Sequence, residues 1–113
     1  MKWNRTLIAE WHRQALPKCD VASQRIKLDK ECEEFYFAKE MPNKLEEIAD
    51  VYIVAAALWM RYHDFAGRFV ADRLEKSKSW PKISEAVDCK MDINACRKYE
   101  LINGEWRHVD DFV

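Results

Sequence analysis

The chain is expected to be all-α, an antiparallel helical hairpin with flanking helices. Three observations predict this. Residues 48 to 60 are apolar at twelve of thirteen positions, with no Gly or Pro to break a helix. Apolar residues recur at helical spacing before and after that run. Pro42 and Asn43 leave a turn of only about two residues between two helical stretches, which makes those helices antiparallel neighbours. The chain is long enough for one domain, spanning 1–113, with a modest core.

The first helix is expected over residues 2 to 16. Trp3, Leu7, Trp11 and Ala15 recur every fourth residue, and Pro17 stops it. His12 falls outside this stripe and reads as a surface residue. The second helix is expected over 20 to 41, with Asp20 as N-cap and Val21, Leu28, Cys32 and Phe35 as its apolar stripe. Pro42 is expected to close it. Asn43, with Glu46 three residues on, reads as the cap of the third helix. A connection this short makes the second and third helices antiparallel neighbours.

The third helix carries the run EIADVYIVAAALWM, and Asp50 is its anomaly. Val51, Val54 and Leu58 surround it on a helical wheel, so no face there is plainly wet. A buried carboxylate must protonate, find a cation or bind a metal. Beyond it, Phe65, Phe69 and Leu74 hold a weaker helical period, with Gly67 placed for a bend. SKSWP at 77 to 81 reads as a loop. Pro81 suits the first turn of a last helix, from about 81 to 99, bearing Ile83, Val87, Met91 and Asn94. Asn103-Gly104 is the best hairpin-turn signal, so a small C-terminal β-hairpin is expected there.

Composition excludes several functions. Net charge is −1, which gives no support to a nucleic-acid binder. Two glycines allow no Gly-rich phosphate loop, so phosphate must be handled by metal ions and cationic side chains. Cys19, Cys32, Cys89 and Cys96 form no C-x-x-C pair or zinc pattern. Reduced thiols and a charged N-terminus without an apolar signal core point to a cytoplasmic protein. Cys89 and Cys96, two turns apart, are expected to pack as small apolar residues. The apolar run is too short to span a membrane, which takes about 20 residues.

Chemistry is concentrated in the hairpin. Glu31-x-x-Glu34, twelve residues, then Glu47-x-x-Asp50 places two carboxylate pairs on facing helices. Folded back on each other, all four can converge. This pattern resembles the all-α nucleoside triphosphate pyrophosphohydrolases, the MazG-like superfamily, marked by E-x-x-E, a gap, then E-x-x-D. The stretch KMDINACR at 90 to 97 is similar to the K-x-x-x-N-x-x-R on the last helix of such proteins.

The resemblance implies a Mg²⁺-dependent hydrolase, with Mn²⁺ as substitute, that converts a nucleoside triphosphate to monophosphate and pyrophosphate. Glu31, Glu34, Glu47 and Asp50 are its implied metal ligands and catalytic residues. Magnesium is hard and favours oxygen donors, so the residue types suit it. Lys90, Asn94 and Arg97 are the implied phosphate contacts, and Lys27 and Lys30 are further candidates. Trp59 and Trp11, with Tyr52 and Phe35 behind them, are the residues able to stack on a base, their alternative being the core. The resemblance also implies a homodimer or homotetramer. A hairpin with two short companions would leave the apolar third helix uncovered, so a second copy is expected to complete a four-helix bundle. The alternatives are a phosphoribosyl-ATP hydrolase of the same superfamily, or a non-catalytic helical dimer whose carboxylates pair with Arg61, Arg68 or Arg73.

Overall fold

The computed structural model describes residues 1–102 and 105–109, and the side chains of residues 1–99. Five helices run α1 (Arg5–Ala15), α2 (Val21–Phe37), α3 (Met41–Tyr62), α4 (Phe65–Glu75) and α5 (Trp80–Asn94). Two short strands follow, β1 (Lys98–Ile102) and β2 (Glu105–Val109), with antiparallel backbone pairing. The Asn103-Gly104 turn on which the expected hairpin rested lies outside the described residues.

Local chemistry starts most of these helices. Asn4 caps α1, its side chain accepting from the Leu7 N–H at 2.8 Å. Asp20 caps α2 as expected, accepting from the Ser23 N–H at 2.8 Å. The break between α2 and α3 is earlier than expected, at residues 38 to 40. Pro42 does not close α2. It stands in the first turn of α3, where its missing N–H has no partner to lose, and Asn43 lies inside that helix. Helix α3 ends at His63, whose left-handed backbone (φ 55°) turns the chain, and the Asp64 carboxylate caps α4. Pro81 begins α5 as expected, but the helix stops at Asn94.

Helix α3 is the axis of the molecule, packing against α1, α2, α4 and α5. Every residue from Val51 to Leu58 is buried. The argument for a second copy therefore fails at its physical step, because four neighbours in the same chain already cover α3. Gly67 serves this packing and makes no bend. A Cβ there would lie 2.5 Å from the Leu58 Cβ and 2.7 Å from the Ala55 carbonyl oxygen, so α4 can sit this close only with glycine.

Several expected faces are rotated. The inward face of α1 is Ile8, Ala9 and His12, while Trp3, Leu7, Trp11 and Ala15 are half-buried. His12 is thus buried, the reverse of the surface residue expected. Helix α4 turns Gly67 and Ala71 inward and leaves Phe65 and Phe69 exposed. Cys32, Cys89 and Cys96 are exposed free thiols, and only Cys19 is buried. Period alone could not choose between adjacent residues on an amphipathic helix with aromatic residues on both sides. Ile83, Val87 and Met91 do line the inner face of α5. Among the described residues, no helix is long and apolar enough to cross a membrane.

Candidate functional site

Glu31 and Glu34 stand one turn apart on α2, and Glu47 faces them from α3. One carboxylate oxygen from each lies within 4.8 Å of the others. Two of these groups are poorly satisfied. Glu31 Oε2 and Glu47 Oε2 are buried with no hydrogen-bond partner. Native proteins rarely leave buried carboxylate oxygens unpaired, because each forfeits its hydration. Glu31 is 6% exposed, and its other oxygen contacts Lys27 Nζ at 3.1 Å. Burial pushes the Glu31 carboxyl up to about 7, with Asp50 and Glu34 adding repulsion and Lys27 opposing. Burial, then the Asp50 and Glu34 charges, raises Glu47 as well.

Asp50 departs from expectation in two ways. It stands outside the three-glutamate group, and it is half-buried at the edge of a cavity, not sealed in an apolar wall. Lys90 of α5 reaches it, with Nζ 3.3 Å from Oδ2. Burial raises the Asp50 carboxyl and Lys90 opposes the shift. Since α2, α3 and α5 do not close on one another here, Asp50 has an opening beside it that a helical wheel cannot show.

That opening is a cavity of about 960 Å³. Lys27, Lys30, Glu31 and Asp50 line it together with Lys90, Asn94 and Arg97 of the α5 end. All five expected phosphate contacts therefore share one cavity with two of the expected acidic residues. Trp11 also lines it, its ring packed edge-on to Tyr99. Trp59 does not. The Arg5 guanidinium lies 4.3 Å from its ring centre, with Arg68 on the same ring, so Trp59 is removed from the stacking candidates. Tyr52 is fully buried with its hydroxyl donating to Glu75, and Phe35 packs against the core, so neither lines the cavity.

The arginines proposed as carboxylate partners in the non-catalytic alternative are engaged elsewhere. Arg61 bonds His12 and the carbonyls of Leu16 and Pro17, Arg68 lies near Trp59, and Arg73 lies over Phe69.

Gln24 and His12 are cavity residues that pattern reading missed. Gln24 falls three residues after Val21 and four before Leu28, on the stripe that also holds Glu31. An amide on an apolar stripe is the signal that was available. Comparison with family models, with curated protein sequences and with solved structures returns no match.

Proposed function

We propose that the chain is a divalent-metal-dependent nucleoside triphosphate pyrophosphohydrolase. The observation that supports it best is the pair of buried, unpartnered oxygens on Glu31 and Glu47 within a three-carboxylate cluster. A hard cation such as Mg²⁺ would satisfy them, and the all-oxygen donor set fits its preference, with Mn²⁺ as substitute. Glu31, Glu34 and Glu47 would hold it, with Asp50 completing the set when released from Lys90. Bound there, the metal would supply charge neutralisation and a more acidic water.

The remaining chemistry belongs to side chains. Water attacks the α-phosphorus of the triphosphate, its oxygen forming the new P–O bond. The bond to the oxygen bridging the α- and β-phosphorus breaks, and pyrophosphate leaves with that electron pair. A carboxylate of the cluster accepts the proton from water. Lys90 and Arg97 offset charge on the pyrophosphate, and Asn94 donates to a phosphate oxygen. Lys27 and Lys30 stand on α2 at the same cavity. Lys27 and Lys90 bind Glu31 and Asp50 in this structure, and their flexible stems let them exchange those carboxylates for phosphate oxygens. Trp11 is the stacking candidate that keeps its place. A homodimer or homotetramer stays part of this proposal through the resemblance alone, and light scattering tests it.

The test is a screen of ribo- and deoxyribonucleoside triphosphates with Mg²⁺ or Mn²⁺, identifying both products. Monophosphate plus pyrophosphate from any of them supports the reaction. If none is cleaved, and phosphoribosyl-ATP is not cleaved either, the proposal is wrong.

A further inference from the structure

Three polar side chains run in series, and the last two, His12 and Gln24, line the cavity near the start of α2. Arg61 Nη1 stands 2.9 Å from His12 Nδ1. A guanidinium only donates, so Nδ1 must accept. Burial and the Arg61 charge push His12 down to about 4, which keeps the ring neutral. Its one proton is then on Nε2, and that N–H donates to Gln24 Oε1 at 3.0 Å. The tautomer of His12 thus decides which end of the Gln24 amide is oxygen. The other end agrees, since Gln24 Nε2 donates to the Val54 carbonyl at 3.3 Å.

This leaves Gln24 one way to face the cavity. Its Oε1 already accepts from His12 and lies 3.6 Å from the Cys19 thiol. Its Nε2 has two N–H groups, and Val54 takes one. The free capacity of the amide is therefore a single donor. Gln24 is only 5% exposed and lines the cavity, so a base that displaces water there must satisfy this donor itself. It precedes Glu31 by seven residues on α2, about 10 Å along the helix axis. That separation suits a base held at one end while the α-phosphate sits at the carboxylates. Trp11, Leu16, Ile53, Val54 and Tyr99 supply the apolar and aromatic wall between.

We propose that Gln24, oriented by Arg61 through His12, reads the edge of the nucleobase and selects a carbonyl oxygen over an amino group. The inference rests on the pyrophosphohydrolase proposal above. An amino group in the same place would set donor against donor and leave both unpaired in a buried site, which penalises it roughly 10- to 100-fold in kcat/KM.

The test compares matched pairs, dUTP with dCTP and ITP with ATP, on the full chain with Mg²⁺. The expected result is a preference for the carbonyl base in at least one pair, and a ratio within about threefold of one in Gln24→Met, which keeps the shape without the donor. Nitrogen-15 NMR of the wild-type protein should find His12 neutral and protonated at Nε2, independent of any turnover. Equal rates in both pairs, a preference for the amino base, an unchanged ratio in Gln24→Met, or a proton on His12 Nδ1 would each overturn the inference while leaving the hydrolase proposal standing. Failure of the wild-type protein to cleave any triphosphate would instead remove the hydrolase proposal, and this one with it.

Discussion

Replacing Glu31 with glutamine should make the metal-free protein more stable at pH 8 and end its response to magnesium. Glu31 is 6% exposed, has one orphaned oxygen, and is pushed from 4.5 up to about 7. A carboxyl whose folded value is raised favours the folded state while it is protonated. That contribution is present below about 4.5 and is lost as pH rises to about 7. At roughly 1.4 kcal/mol per pH unit, ionised Glu31 costs the folded state about 3 kcal/mol at pH 8. Glutamine removes this cost, in which the opposing Lys27 contact is already counted. The gain is about 3 kcal/mol, or about 12 °C in Tm for a domain of this size. At pH 5 the folded carboxyl is already protonated, so the gain shrinks to about 1 kcal/mol or less. The assay is thermal melting by circular dichroism at pH 5 and pH 8, in chelator and in millimolar Mg²⁺. Wild-type Tm should rise with Mg²⁺ at pH 8, because the ion binds only the folded cluster. The variant should start higher and not respond. If its Tm at pH 8 in chelator equals or falls below wild type, Glu31 is not under strain from its neighbours. If Mg²⁺ raises both proteins equally, the ion does not sit on Glu31.

Asp50→Asn should lower turnover by at least about 100-fold while leaving the far-ultraviolet spectrum unchanged, since its side chain is half-buried at the cavity edge. Wild-type rates in this variant would detach Asp50 from the chemistry. His12 moves stability in the opposite sense to Glu31. Its folded value is lowered to about 4, so stability is full above about 6.5 and falls as pH drops toward 4, by about 3 kcal/mol in total. His12→Gln should flatten the acid limb of a plot of stability against pH, and an unchanged limb would remove His12 as its cause. Gly67→Ala should destabilise by about 2 to 3 kcal/mol, because the new methyl meets the Ala55 carbonyl and the Leu58 Cβ with little room to yield. Denaturant unfolding checks this, and a loss under about 0.5 kcal/mol would mean that α4 is free to move away.

The helical class, the central run and the pairing of α2 with α3 were legible because they depend on local period and turn chemistry. Pro42 shows the limit of that chemistry. A proline ends one helix or begins the next with equal local sense, and here it stands in the first turn of α3. The same limit applied to the faces of α1 and α4. A change of one residue rotates a helix by about 100°, and only the neighbouring helices select Ile8 over Leu7 or Ala71 over Phe69.

At the site, spacing and the short turn showed that the four carboxylates could converge, and Glu31, Glu34 and Glu47 do while Asp50 does not. Spacing could not show that Lys90 arrives from α5 to hold Asp50, that Trp59 lies under Arg5, or that α3 is covered by its own chain. Nor could it show that Arg61, forty-nine residues from His12, sets the tautomer that turns the Gln24 amide. What the sequence by itself determined is what short separations govern: which residues are helical and which carboxylates share a turn. The tertiary structure decided every partnership across long separations, because those depend on how four helices close around one, and no local period encodes that closure.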